Sequence, residues 1–194
     1  MGLLSKKNKP SQKAYAVVTG AGSGIGRSFA LELAKRGGDV ICADIDLSSA
    51  QETVDLIQSM TSTSAYAVHC DVGLKESVHA LAEQAEQLLG HPVTLLINNA
   101  GVGLGSKFDE VSLEDWRWCM HVNLWGVIHG CHYFVPKFKQ QGFGAIINVA
   151  SAAGYTAAPE MTAYNVTKSS VLALSETLAS ELHAYNIAVN VLCL

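Results

Sequence analysis

Tyr164 and Lys168 stand four residues apart in Tyr164-Asn165-Val166-Thr167-Lys168, within a pattern that predicts a helix over Tyr164–Ala184. On a helix that spacing puts both side chains on one face, a turn apart. A phenol ordinarily titrates near ~10, so at neutral pH it does not take a proton from an alcohol unaided. Bringing one to near ~7 requires about 4 kcal/mol in favour of the phenolate. A neighbouring cation in a partly dry site can supply that amount. The pair therefore offers general acid–base chemistry on an alcohol or carbonyl oxygen.

A second cluster, Thr19-Gly20-Ala21-Gly22-Ser23-Gly24-Ile25-Gly26, separates a predicted strand, Ala14–Thr19, from a predicted helix, Ile25–Arg36. The strict G-x-G-x-x-G pattern fails in every register, and what stands there is T-G-x-x-x-G-x-G. Glycines between a strand and a helix let the backbone approach a pyrophosphate, at which the helix points its N–H groups and positive dipole end. The alternative is a merely flexible turn. Asp44 ends the second predicted strand, 18 residues past Gly26. A carboxylate there can accept hydrogen bonds from both hydroxyls of an adenosine ribose and repels a 2′-phosphate. Arg27 is the nearest cation and none sits among the glycines, so NAD is expected in preference to NADP. The alternative makes Asp44 a strand-ending turn residue or helix cap and Asp46 the ribose ligand.

With Asn98-Asn99-Ala100-Gly101 after the fourth predicted strand, these motifs resemble the short-chain dehydrogenase/reductase family, from about Tyr15 to Leu194. The resemblance implies an NAD-dependent oxidoreductase that moves a hydride between nicotinamide and a secondary alcohol/ketone or aldehyde. It places Gly20, Ser23, Gly24, Ile25 and Gly26 along the pyrophosphate, Asp71 and Val72 at the adenine and Asn98 near the adenosine ribose. A scaffolding role at the sheet end stays open for Asn98 and Asn99. It makes Tyr164 the general acid/base and gives Lys168 the nicotinamide ribose to hold as well. Ser151 is expected to hydrogen-bond the substrate oxygen where charge develops, with a turn or helix-cap serine as the alternative. Asn123 is expected to hold a water linking Lys168 to solvent, the alternative being a structural asparagine. In the family the long helix bearing Asn123 and the Tyr164 helix pair across a two-fold axis, which implies a homo-oligomer, a dimer or tetramer.

The elements that must position these groups alternate along the chain. Strands are predicted at Ala14–Thr19, Val40–Ala43, Ala65–Cys70, Val93–Ile97, Ala145–Val149 and Ile187–Leu192. Helices are predicted at Ile25–Arg36, Leu47–Met60, Ser77–Leu89, Leu113–Gln141 (mostly one helix, kinked near Pro136) and Tyr164–Ala184. That rhythm means βαβ units and an α/β fold: a Rossmann-type, doubly wound parallel sheet in three αβα layers, with ligand at the strands' carboxyl ends. Residues 14–194 form one dinucleotide-binding and catalytic domain behind a basic tail, residues 1–13.

Composition excludes other classes. The chain is 49% hydrophobic and 15% charged with a net charge of −4, and its basic residues cluster only in the tail, so no nucleic-acid partner is expected. Its five cysteines are dispersed without metal-ligand spacing, as expected of reduced thiols in a cytoplasmic protein without a metal site. No run approaches the ~20 apolar residues of a membrane span. Family members continue past the sixth strand with Pro-Gly, a mobile substrate-covering segment, a seventh strand and a terminal helix, whereas Leu194 stands where that proline would be. The expectation is therefore six strands with the usual seventh missing. A chain of this length would be aggregation-prone through its edge strand, weakly active, and in the alternative reading a truncated dinucleotide-binding fragment without effective catalysis.

Overall fold

The short Val-, Ile- and Ala-rich runs become six parallel strands in the computed structural model, which describes residues 10–194. They are β1 (Tyr15–Thr19), β2 (Asp39–Asp44), β3 (Ala65–His69), β4 (Leu95–Asn98), β5 (Gly144–Val149) and β6 (Ile187–Leu192), ordered β3-β2-β1-β4-β5-β6. Six helices connect them: α1 (Gly24–Lys35), α2 (Leu47–Met60), α3 (Lys75–Leu89), α4 (Leu113–Met120), α5 (Gly126–Gln141) and α6 (Thr162–Leu182). Positions 1–9 of the expected tail lie outside the described residues. Lys13, at its end, already donates its backbone N–H to the Arg36 carbonyl at 3.3 Å.

The strands lack polar alternation because both faces of the sheet are covered. Val17, Ile41, Leu96 and Ile146 pack against Leu81 of α3, Phe134 and Phe138 of α5 and Val171 of α6. Their neighbours Ala16, Val18, Val40, Cys42 and Ile97 face the opposite layer, with Ala30 and Leu33 of α1 and Val54 and Ile57 of α2. Burial pushes the Cys42 and Cys131 thiols up to about 12 and the Cys70 thiol to about 11, so these act as small apolar core groups. Strand order reverses between β1 and β4, which opens a crevice at their carboxyl ends.

The span Leu113–Gln141 departs from its predicted form. A π-helical turn, His121–Trp125, separates α4 from α5, and Asn123 sits within it. Pro136 lies inside α5 without ending it, and Gly142 (φ +78°) terminates that helix in the left-handed region. Asn123 is the buried residue of that turn, a single-turn π interruption of the kind often found at functional sites.

Across the core, polar groups tie strands to helices. Asn98 Nδ2 donates to Asn148 Oδ1 at 2.9 Å, and Asn148 Nδ2 donates to Ser175 Oγ at 3.0 Å, which joins β4, β5 and α6. α5 approaches closest at Gly130, where an added Cβ would overlap Asn98 Oδ1. Gly130→Ala is therefore expected to destabilise the fold by about 2–3 kcal/mol, read as a lower urea midpoint. An unchanged midpoint would show that α5 can retreat without cost.

Candidate active site

The crevice is a cleft of about 710 Å3, lined by the glycine turn, Asp44, Asp71, Val72, the segment after β4 from Asn99 to Gly103, Tyr164 and Lys168. That volume falls within the range of small-molecule sites. The glycine turn can form only because side chains are absent. Gly20 has φ +65°, and a Cβ on it would stand 2.8 Å from the Ala100 Cα; a Cβ on Gly26 would overlap the Gly20 carbonyl. Ser23 caps α1 in an extended conformation and makes no side-chain capping bond, so the first-turn N–H groups of a 12-residue helix face the cleft. The cradle fits the pyrophosphate of a dinucleotide, whose charge the helix dipole favours. Gly24, Ile25 and Gly26 line the same wall.

Asp44 also borders the cleft. Its Oδ2 accepts the Gly22 N–H at 2.8 Å and its Oδ1 the Asp46 N–H at 3.0 Å, which fixes the carboxylate and leaves acceptor capacity toward the cavity. Asp46 is instead the cap of α2, accepting from the Ser48 and Ser49 N–H groups and the Ser49 hydroxyl; these bonds, the Ser49 hydroxyl foremost, hold its carboxyl below the ordinary range. Arg27 is engaged elsewhere. Its guanidinium donates to the Gly22 carbonyl and to Thr53 Oγ1 (3.0 Å) and pairs with Glu52 at 3.0 Å. Asp71 accepts the Gly73 N–H at 2.9 Å, and Val72 packs against Gly126.

Asn98 does not present its side chain to the cleft, which favours the scaffolding role left open for it over contact with the ribose. It is 3% exposed and directed into the core on Asn148, because as the last residue of β4 it points toward α5. Asn99 takes the rim position, donating to the carbonyls of Thr19 (2.9 Å) and Gly20 (3.2 Å). Thr19 Oγ1 in turn accepts the N–H groups of Asn99 (3.0 Å) and Ala100 (3.1 Å). Sequence reasoning missed Thr19 as a partner, though its place before the first glycine was the available signal. Trp118 and Val122 also line the cleft.

At the other end α6 carries Tyr164 and Lys168 into the cleft, with Lys168 Nζ 5.5 Å from the tyrosine ring centroid. Nζ donates to the Val149 carbonyl at 2.9 Å. Burial pushes the Lys168 ammonium below its ordinary value, partly opposed by Cys119. Asn123 is fully buried and clasps Val102, accepting its N–H at 2.7 Å and donating to its carbonyl at 2.8 Å. Asn123 and Lys168 flank Gly101, where a Cβ would stand 3.2 Å from Asn123 Oδ1 and 3.5 Å from Nζ. Ser151 stands at the rim: its hydroxyl donates to the Leu194 carbonyl at 3.0 Å and accepts the Ala153 N–H at 3.3 Å, capping a 3-10 turn. Val149, Ala150 and Leu194 around it line the cleft, and Ser151 itself does not.

A family model described as short chain dehydrogenase matches residues 14–194. The cyclohexanol dehydrogenase of an Acinetobacter species is 38% identical over 184 residues, covering 94% of this chain and 72% of that protein. A mycobacterial protein named "Probable oxidoreductase EphD" (Mycobacterium tuberculosis) is 35% identical over 177 residues, 91% of this chain; the chain spans only 30% of that relative's length. Among solved structures, a short chain dehydrogenase/reductase from Burkholderia phymatum in complex with NAD superposes with a TM-score of 0.91 at 38% identity, over 95% of this chain and 66% of that one.

The lowered Lys168 value has a measurable consequence. Below its folded pKa both states hold the proton and the burial penalty is fully present; between that value and the ordinary 10.5 the unfolded chain binds more protons, so stability rises with pH. Lys168→Met removes the penalty and is expected to melt about 2–4 °C above wild type at pH 7, the gap closing above pH ~10. A variant that melts lower at neutral pH would contradict this.

Proposed function

The chain belongs to the short-chain dehydrogenase family, and from that premise we propose that it transfers a hydride between NAD(H) and a secondary alcohol/ketone or aldehyde, with Tyr164 as general acid/base. The carrying observation is that one cleft holds both the glycine cradle and the Tyr164–Lys168 pair. Nicotinamide, when bound, supplies the hydride acceptor or donor.

The side chains do the rest. Toward the alcohol, Tyr164 gives its hydroxyl proton to the substrate oxygen; toward the carbonyl, it takes that proton back. The buried Lys168 ammonium, held by the Val149 carbonyl, favours the phenolate side of this exchange. Ser151 donates to the substrate oxygen in place of the Leu194 carbonyl, stabilising charge where it develops. Asn123, through Val102, holds the segment after β4 that borders Lys168, and a water there completes a proton path to solvent.

NAD is preferred over NADP on this reading. Asp44 presents carboxylate toward the ribose, and Arg27, the nearby cation, is spent on Gly22, Thr53 and Glu52. The Burkholderia relative's NAD complex supports the same choice. The protein is proposed to be cytoplasmic; no helix among the described residues is long and apolar enough to cross a membrane. A homo-oligomer is proposed through the face shared by α5 and α6, where Ile128, Val135, Pro136, Leu174 and Leu178 line an open groove.

Tyr164→Phe is expected to lower NADH-dependent reduction of a ketone panel at least about 100-fold, with NADH affinity retained. Equal rates in the two proteins would refute the assignment, and binding without turnover in wild type would favour the dinucleotide-binding alternative. Asp44→Ala is expected to narrow the NAD/NADP affinity ratio by about tenfold, measured by calorimetry. An unchanged ratio would remove Asp44 from the ribose.

A further inference from the structure

Trp116, Trp118 and Trp125 fall within ten residues, yet they do not share a surface. Trp116 and Trp125 line a separate depression on the outside of α4, and Trp118 alone lines the cleft. It is 47% exposed, and among the described residues its indole stacks on no other ring, whereas Trp116 meets Phe108 and Trp125 meets His129. A large apolar group left half-bare inside a concave site is the kind of surface a ligand covers.

Its neighbours show which ligand half lies beside it. Trp118, Val122 and Gly126 fall on one helical stripe at i, i+4 and i+8. Gly126 abuts Val72 so closely that a Cβ would stand 2.8 Å from Val72 Cγ2, and a Cβ on Gly73 would stand 3.6 Å from the His121 Cβ. The stripe is thereby anchored on the turn after β3, the Asp71–Val72 end of the cleft. Opposite, Ile45 is 64% exposed and lines the same cleft where β2 leads into α2, in the other helical layer. Two bare apolar side chains thus stand on opposite layers of one end of the crevice.

We propose that Trp118 is the closing wall of the adenosine subsite, its indole packing on the adenosine half of the dinucleotide across from Ile45. This rests on the dinucleotide reading above and adds to it a residue and a subsite. Aromatic contact with a base supplies a sequence-tolerant part of the affinity, so Trp118→Ala is expected to bind adenosine ligands about tenfold more weakly.

The test uses ADP-ribose and nicotinamide mononucleotide as separate probes, with calorimetry and tryptophan fluorescence excited where adenine does not absorb. ADP-ribose is expected to change the emission of wild type, Trp118→Phe to abolish that change while still binding, and nicotinamide mononucleotide to leave the emission unaltered. Trp118→Ala is expected to lose about tenfold in ADP-ribose affinity by calorimetry, with an unchanged melting temperature. Equal ADP-ribose affinity in wild type and Trp118→Ala overturns the assignment and leaves the dinucleotide reading standing. A response to nicotinamide mononucleotide alone overturns it by placing the indole over the other half. Failure of wild type to bind ADP-ribose or NADH defeats the dinucleotide reading and this inference together.

Discussion

The contact between the turn after β1 and the turn after β4 is the constraint on which the cleft depends. The backbone of Gly20 lies against Ala100, with no room for a side chain between them. Asn99 and Thr19 lock the approach by exchanging side-chain hydrogen bonds with each other's backbone. Because strand order reverses at this seam, the two turns then diverge, and the space between them becomes the crevice. The positive φ of Gly20, the exposed start of α1 and the placement of Asp44 all follow from that close approach. Asp44 reaches back to the Gly22 N–H, so the same turn that opens the cradle also orients the carboxylate at its end.

The other end of the cleft is governed by how α6 seats on β5. Asn148 meets Ser175 near the middle of the helix, and the Val149 carbonyl meets Lys168 nearly two turns earlier. These bonds set the helix height along the strand, so Tyr164 and Lys168 arrive at the cleft together. The arrangement keeps a cation in a dry place with a single carbonyl acceptor among the described residues, which is unfavourable for folding and is the environment that the proposed role of Lys168 calls for. Asn123 supports the site from the far side, and the π turn that contains it exists where the helix must present an amide to Val102.

Much of this was legible in the residues. The uniform apolar strands, the glycines between strand and helix, and Tyr164 and Lys168 at helical spacing each state a local physical requirement, and β1 to β6 form close to where the patterns place them. What the residues left open shares a cause. Asn98 and Asn99 are adjacent and chemically identical, and only the pleat of β4 decides that one faces α5 and the other the glycine turn. Trp116 and Trp118 differ in role for the same reason, since the side of α4 that meets the cleft depends on how Gly126 packs against Val72. The π turn at Asn123 carried no periodic signal, and the bond its asparagine makes is to a partner 21 positions away.

The sequence by itself determined the α/β class, the glycine turn and the Tyr164–Lys168 pairing on one helical face, because each is set by contacts within a strand, a turn or a helical turn. Tertiary structure alone decided which of Asp44 and Asp46 faces the cleft, that Arg27 is already engaged, that Ser151 holds the Leu194 carbonyl, and that Trp118 stands bare beside the Asp71–Val72 turn. Those outcomes turn on which groups from distant segments claim one another's hydrogen bonds and surface. That competition is settled only when the layers close on the sheet.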